Sequence, residues 1–151
     1  MTSLSIQRIA IGLAALGMLG GCNRGVPEHA VEKVLARHFQ AVATNGFDAA
    51  MVDYGEPFFE KTRREDWGQE LAGLGRKLGS YRNHTILWSR VFHTTGPFGP
   101  GTTVNVQCEV RYSKHSAVET FTLFEGAGDS GYKIAGHQIR LPEFLKNGTG
   151  T

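Results

Sequence analysis

The chain has 151 residues, of which 40% are hydrophobic and 20% charged, and this suits one globular domain plus a short targeting segment. Its 16 Lys and Arg residues nearly balance 14 Asp and Glu residues, and the basic residues are scattered along the chain. The basic stripe that nucleic-acid binding requires is therefore excluded, and we expect no nucleic-acid partner.

The N-terminus has the composition of an export signal. Arg8 supplies a positive charge, and an apolar run that includes glycines follows over residues 9–19. A membrane-spanning helix needs about 20 apolar residues, and this run is about half as long, which is typical of a signal peptide. Residues 19–22 then read Leu-Gly-Gly-Cys. This motif resembles the bacterial lipobox, in which the cysteine thiol is lipidated and the chain is cleaved just before it.

The lipobox resemblance implies that residues 1–21 are a lipoprotein signal peptide and that residues 22–26 are a lipidated tether. Cys22 would then carry several acyl chains, such as palmitate, that hold the protein on a membrane of the cell envelope. Asn23 replaces the Asp that retains some lipoproteins at the inner membrane, which favours the periplasmic side of the outer membrane. The alternative is a cysteine that follows an ordinary signal peptide or N-terminal anchor by chance.

Helical spacing of apolar residues predicts three helices in the first half of the domain. The first begins at Pro27 and ends at residues 45–46, and its apolar stripe contains Val31, Val34, Leu35, His38, Phe39 and Val42. The second covers residues 48–54. The third follows a capping box formed by Thr62 and Glu65, and its stripe contains Trp67, Leu71, Leu74 and Leu78.

The second half of the chain is rich in Val, Ile, Thr and aromatic residues, which favours strands. Short turns separate four predicted strands, at residues 81–94, 103–112, 117–125 and 132–140. Helices followed by such strands predict an α+β fold, with about three N-terminal helices packed on a curved four-stranded antiparallel sheet. A single domain then covers residues 27–141, and residues 142–151 form a disordered tail.

The first predicted strand has apolar residues on both of its faces: Ile86, Leu87, Trp88, Val91 and Phe92. Since a strand with one wet face shows a simple alternation, its outer face is also expected to be covered. The cover is either a second copy or partner protein, or a loop that lies over a twisted strand.

The order of the elements resembles the cone-shaped nuclear transport factor 2-like superfold, also described as cystatin-like. A closer resemblance, over residues 47–139, is to a family of exported bacterial proteins, the domain-of-unknown-function 4019 family. It is carried by a set of short motifs: Trp67, Leu71, Leu74, Leu78-Gly79, Arg82, the 96–101 loop, residues 117–120 and residues 132–136. Tyr132 stands where the family tends to have a tryptophan. The resemblance implies this fold and an envelope setting, and it supplies no catalytic residue.

Residues 126–131 match two catalytic or binding motifs by chance. They read Gly-Ala-Gly-Asp-Ser-Gly, which fits a dinucleotide-binding fingerprint and the sequence around a trypsin-like nucleophile. The fingerprint needs a following helix, whereas a strand follows here, and a trypsin-like protease needs a larger double barrel. We therefore predict a hairpin turn at these residues.

The six histidines and two cysteines show no local metal-binding spacing. His29 and His38 fall on opposite sides of a helix, and His84 and His93 face opposite sides of a strand unless a bulge intervenes. Cys108 alternates with valines, which places it in the core as a small hydrophobe. We expect no metal and no cofactor, although a site assembled from distant elements stays open.

Five residues are candidates for a pocket between the helices and the sheet: His38, Asp53, Tyr54, Tyr112 and His137. Enzymes of the superfold place an Asp or His base and a tyrosine donor there, where burial shifts their pKa values. The ordinary alternatives are a core histidine at position 38, bonded to a carbonyl or a tyrosine, and an Asp53 on the exposed face of its helix.

The sequence therefore favours a membrane-anchored envelope lipoprotein whose domain binds an envelope protein or a small apolar ligand. This hypothesis depends on the absence of a reactive cluster in the sequence. One alternative is a small isomerase or hydrolase with a base in the cone between helices and sheet. Another is a structural subunit of an envelope assembly, for which the two-sided apolar strand is the reason.

Overall fold

Helices occupy the first half of the described chain and strands the second. The computed structural model describes residues 28–44 and 47–142. The helices are α1 (Glu28–Ala43), α2 (Phe47–Met51), α3 (Glu56–Phe59) and α4 (Arg64–Leu78). The strands are β1 (Tyr81–Gly96), β2 (Gly99–Tyr112), β3 (Ser116–Gly126) and β4 (Lys133–Arg140). The predicted α+β fold with N-terminal helices is confirmed.

Three of the predicted segments lie outside the described residues. These are the signal peptide, the lipidated tether with Cys22, and the tail from residue 143 onward. Among the helices that are described, none combines the length and the hydropathy that crossing a bilayer requires.

Helix α1 buries the side of the helix that its spacing predicts. Val42, the last residue of the predicted stripe, is half-buried. The other five residues of the stripe are buried: Val31, Val34, Leu35, His38 and Phe39. They join a hydrophobic core that also contains the valines of β2. Lys33 and Arg37 stay exposed on the opposite side. The helix is thus held by its apolar side, as expected for an amphipathic helix over a sheet.

The segment between α1 and α4 differs from the prediction. Helix α2 ends at Met51 rather than at residue 54, because Tyr54 leaves the helix and forms a parallel bridge with Ile134 of β4. An additional helix, α3, follows. Pro57 lies in its first turn, a position that suits proline. The backbone N–H of Gly55 donates to the Ile134 carbonyl at 2.9 Å, so this segment extends the sheet beyond β4.

Helix α4 has the predicted apolar side but lacks the predicted capping box. Its N-cap residue is Arg63, which makes no side-chain cap bond. The Arg63 guanidinium donates to the Glu65 carboxylate at 2.9 Å, so this carboxylate is used by a charged side chain instead of the backbone. Trp67, Leu71 and Leu78 are buried, while Leu74 is half-buried.

Glycine is required at the end of α4. Gly79 has φ 86°, and a Cβ atom at this position would lie 2.1 Å from the Ser113 hydroxyl oxygen. The positive φ turns the chain directly from α4 into β1, and the close approach brings it against the turn after β2.

The four strands form an antiparallel sheet in the order β1-β2-β3-β4. The residues of β2 and β3 alternate between buried and less buried positions, so one face of each strand points to the helices. That face contributes Val104, Val106, Cys108, Val110, Ala117, Glu119, Phe121 and Leu123. The predicted meander of four strands is therefore observed, and the predicted burial of Cys108 is confirmed.

The turn predicted at residues 95–102 is wrong in length. Strands β1 and β2 pair as far as Gly96 and Gly99, so the hairpin closes through a two-residue turn. Gly99 has φ 95°, a conformation that tight hairpin turns require and that glycine adopts at low cost. The turn predicted at residues 126–131 does lie between β3 and β4, where the Asp129 carboxylate accepts from the Gly126 N–H at 2.8 Å.

Strand β1 is an edge strand with a β-bulge. The register shifts between Ile86 and Trp88, so Leu87 has no partner on β2. A bulge moves every later residue of the strand to the other face, which explains why apolar residues of both parities occur here. Four large hydrophobic residues of this strand are exposed: Ile86, Leu87, Trp88 and Phe92.

Candidate functional site

A chain of hydrogen-bonded polar side chains lies in the core between the helices and the sheet. The Tyr54 hydroxyl contacts His137 Nδ1 at 2.8 Å, and His137 Nε2 contacts the Glu119 carboxylate at 2.9 Å. The Tyr112 hydroxyl donates to the other oxygen of Glu119. These four residues are named the polar chain below. Three of them were candidates from the sequence, and the structure brings those three together through Glu119.

Strand register places Glu119 and His137 beside each other. Glu119 lies on the inner face of β3, at the same parity as Phe121, and His137 is the register partner of Phe121 on β4. The rings of Phe121 and His137 stack with centroids 4.1 Å apart. This stacking fixes the imidazole plane, so that Nε2 is directed along the sheet toward Glu119.

Protons can be assigned consistently along the polar chain. Burial, together with the nearby Glu119 charge, raises the pKa of the Tyr54 phenol far above its usual range. The same two causes raise the pKa of Tyr112. Both tyrosines therefore keep their protons, and Tyr112 donates to one oxygen of Glu119. His137 Nε2 faces the other carboxylate oxygen, which can only accept, and therefore donates to it, while the Tyr54 hydroxyl bonds to Nδ1.

His38 lies beside the polar chain in a surround of aromatic rings. Its ring centroid is 5.5 Å from those of Tyr54 and His137, and 5.6 Å from that of Phe121. The interpretation of His38 as a core residue is confirmed by an exposure of 1%. The expected hydrogen bond is not found at Nδ1, which has no partner among the described residues. Burial, and then the charge of His137, lower the pKa of His38 well below 6.5.

The lowered pKa of His38 predicts a loss of stability in mild acid. As the pH falls below 6.5, the unfolded chain protonates this imidazole while the folded chain keeps it neutral. The free energy of unfolding should then fall by about 1.4 kcal/mol per pH unit from this residue alone. Replacing His38→Phe should remove that part of the slope between pH 6.5 and 5, measured by urea denaturation. His93→Phe, at an exposed position, is the matched control, and an unchanged slope in His38→Phe would contradict the assignment.

Asp53 is separated from the polar chain by its ion pair. It is 1% exposed, so the alternative of an exposed position on a short helix is wrong. Arg37 of α1 reaches over the core and donates to one carboxylate oxygen, while the other has no partner among the described residues. Burial raises the pKa of Asp53, and the bond to Arg37 partly offsets this shift. The pair connects α1 to the segment after α2.

Three of the four side chains in the polar chain are closed to solvent, while Tyr112 is half-buried. The side chains of Glu119 and His137 are each 1% exposed, and Tyr54 is buried among Phe58, Phe59 and Trp67. A substrate would have to displace these aromatic rings to reach a base. In this arrangement the polar chain links the segment after α2 to β2, β3 and β4 by directional bonds inside an otherwise apolar core.

Outside the polar chain, the described residues provide neither a reactive thiol nor a cluster of metal ligands. Burial, then the nearby carboxylates, raise the pKa of the Cys108 thiol to about 12, which makes it unreactive. His84 and His93 pair with Val110 and Thr102, so the bulge in β1 puts them on one face, contrary to the expectation for a regular strand. Within the described ranges, no three potential ligands come close enough to hold a metal ion.

Comparison with known proteins gives no relative. No family model, no curated protein and no solved structure matches the chain. Any functional assignment has to be argued from the residues themselves.

Glu119 is the residue that the sequence did not single out. The signal was present, because Glu119 has the same parity as Ala117, Phe121 and Leu123, all on the apolar face of a predicted strand. A carboxylate at such a position must find partners in the core, since an unpaired buried charge is strongly destabilising. The partners themselves come from other elements and are visible only in three dimensions.

Proposed function

We propose that the protein is a lipid-anchored protein of the bacterial cell envelope whose domain binds another envelope protein through strand β1. The attachment is proposed from the lipobox resemblance at residues 19–22, with Cys22 as the lipidated residue. The membrane would be the outer membrane, on its periplasmic side. The single observation that carries the binding proposal is the exposed apolar surface of β1.

Strand β1 has the features of a surface that binds a protein. Ile86, Leu87 and Phe92 are between 37% and 51% exposed, within seven consecutive positions of one strand. Exposed large side chains that are clustered in this way mark interaction surfaces more often than scattered ones do. Leu87 sits at the bulge and has no cross-strand neighbour, so it is free to contact another molecule.

The charge of β1 favours a partner different from this chain. The strand includes Arg82 and Arg90 and has no acidic residue over its 16 positions. Two copies that paired along this edge would bring positive charges together, whereas an acidic strand would be attracted. An extended acidic segment of another protein is therefore the best fit, added as a strand beside β1.

Site-specific photo-cross-linking in intact cells tests the binding proposal. A photoreactive amino acid at position 87 of the full-length chain should give one discrete cross-linked product. The matched control is position 69 on α4, where Gln69 is exposed at a distance from the sheet edge. Equal labelling from both positions, or no product from position 87, would count against β1 as the interface. A product of the chain with itself would replace the partner by a second copy.

The alternative function, a small isomerase or hydrolase, has less support. It needs a substrate next to His38 or His137, and aromatic side chains surround both. The polar chain also has its hydrogen bonds satisfied within the protein, so it offers no free base to a ligand. Small apolar ligands would meet the same filled interior.

We also propose the finer fold assignment. The four helices and the sheet would form a cone of the nuclear transport factor 2-like kind, and the domain would belong with the exported domain-of-unknown-function 4019 family. The short motifs along residues 47–139 support this assignment, together with the order of helices and strands.

A further inference from the structure

An open groove lies between the outer face of the sheet and the segment that contains α3. Its volume is about 370 Å³, within the range of small-ligand sites. Half of its lining consists of two aromatic residues and a floor of uncharged polar residues: Trp88, Phe98, Asn105, Thr120, Thr122 and Gln138. The other half comes from α3, the segment after it and β4: Phe58, Lys61, Thr62, Ala135, Gly136 and His137. None of the described residues that line this groove has a carboxylate, and one lysine, Lys61, stands at its rim.

Trp88 is held in position although 44% of it is exposed. Its indole Nε1 donates to the Gln107 side-chain carbonyl at 3.1 Å. The amide of Gln107 in turn donates to the Thr120 hydroxyl at 3.2 Å. A large aromatic ring is thus fixed by two neighbouring strands while its face stays accessible. Such preorganisation lowers the entropy lost on binding.

The second aromatic residue, Phe98, is fixed in a similar way. It lies in the turn between β1 and β2, and its ring centroid is 5.5 Å from that of Phe124 on β3. The ammonium group of Lys61, from the segment after α3, lies 6.0 Å from the Phe98 ring centroid. The hairpin and this segment therefore meet at one end of the groove and close it there.

The floor of the groove holds an unsatisfied hydrogen-bond acceptor. The side-chain oxygen of Asn105 is buried and has no partner among the residues that the structure describes. A buried acceptor without a donor is costly, and such groups are rare in native proteins. A ligand with a hydroxyl or amide N–H in the groove would supply the missing donor. Thr120, Thr122 and Gln138 offer further hydroxyl and amide groups around it.

We propose that this groove binds an uncharged saccharide, one ring of which stacks on the indole of Trp88 while its hydroxyl or acetamido groups bond to Asn105 and its neighbours. A sugar ring has C–H groups on its faces and hydrogen-bonding groups at its edge, which matches aromatic walls over a polar uncharged floor. An extended peptide fits less well, because it adds to a free strand edge through main-chain hydrogen bonds, whereas the unsatisfied acceptor, Asn105, lies on β2, which is paired on both sides. The saccharide site uses Trp88, whereas the cross-linking experiment probes the neighbouring residue Leu87, so the two proposals are tested by different side chains.

Tryptophan fluorescence of the full-length chain tests this site. The chain has two tryptophans, and Trp67 is only 5% exposed, so quenching by acrylamide reports mainly on Trp88. The protein is purified in a detergent without a sugar headgroup and titrated with triacetylchitotriose, and separately with maltotriose. We expect saturable protection of Trp88 by at least one of them. Calorimetry of the same titration gives the affinity.

Three variants define the outcome. Trp88→Ala should weaken binding about tenfold or more, and Asn105→Ala by about three- to tenfold. Val52→Ala, at an exposed apolar residue outside both the groove and β1, should bind like the parent chain. The proposal is overturned if neither saccharide gives saturable binding, if Trp88→Ala binds as tightly as the parent, or if acetyl-tetraalanine binds and the saccharides do not. Since Leu87 is not involved, failure here leaves the cross-linking result intact, and the reverse also holds.

Discussion

Replacing Glu119→Ala is expected to lower the free energy of unfolding by about 3–5 kcal/mol, the usual effect of removing one partner from a buried polar pair. The Tyr112 hydroxyl and the His137 Nε2–H would both lose their acceptor, and the His137 side chain, which is 1% exposed, has no water to replace it. A domain of this size is stable by about 5–15 kcal/mol. A large part of that stability therefore depends on one carboxylate that the sequence did not point out.

Two further variants separate this effect from a general effect of losing a charge. Glu119→Gln keeps one oxygen acceptor and should cost clearly less than Glu119→Ala. Glu109→Ala removes an exposed carboxylate from β2 and should stay within about 0.5 kcal/mol of the parent. Urea denaturation of the full-length chain, followed by circular dichroism, measures all three. If Glu119→Ala unfolds at the same urea concentration as Glu109→Ala, the polar chain does not stabilise the core.

Replacing Cys22→Ser is expected to abolish lipid attachment altogether. Each buried methylene of an acyl chain contributes about 0.8 kcal/mol to membrane binding, so several chains anchor a protein effectively permanently. A protein without acyl chains has no such anchor. Growth with labelled palmitate should label the parent chain and not this variant. Mass spectrometry of the parent should find the mature chain beginning at a modified residue 22.

Cys108→Ser is the matched control for the lipidation test. The Cys108 thiol is buried in the core and its pKa is raised to about 12, so it cannot accept an acyl chain in the folded domain. This variant should be labelled like the parent. Label that persists in Cys22→Ser, or an unmodified chain beginning at Met1, would refute the lipoprotein proposal. The saccharide and cross-linking experiments would then need a different cellular setting.

Local patterns in the sequence predicted most of the elements but misplaced some of their ends. The apolar stripe of α1 and the alternation in β2 survive in the structure, because each follows the period of its own element. The capping box at Thr62 and Glu65 does not form, because Arg63 competes for the carboxylate. The first β-turn was predicted too long, since the glycines at positions 96 and 99 allow the two strands to pair almost to the tip.

The candidate site was also predicted only in part from the sequence. His38, Tyr54, Tyr112 and His137 were chosen because enzymes of the superfold that the chain resembles place a histidine base and a tyrosine donor between the helices and the sheet. Asp53 was predicted to belong to this group, whereas in the structure it forms an ion pair with the Arg37 side chain. Strand register decides which polar groups meet. The sequence of a single strand does not determine that register.

By itself, the sequence determined the fold class, the order of helices and strands, and the residues that face the core. These follow from local periodicity, because a helix or a strand buries whichever of its sides is apolar. Only the tertiary structure decided that Glu119 joins His137, that a bulge in β1 leaves Leu87 without a partner on β2, and that Trp88 and Asn105 share one groove. The physical reason is that these contacts join residues far apart in the chain, and their geometry depends on how the strands align and how the chain packs across them.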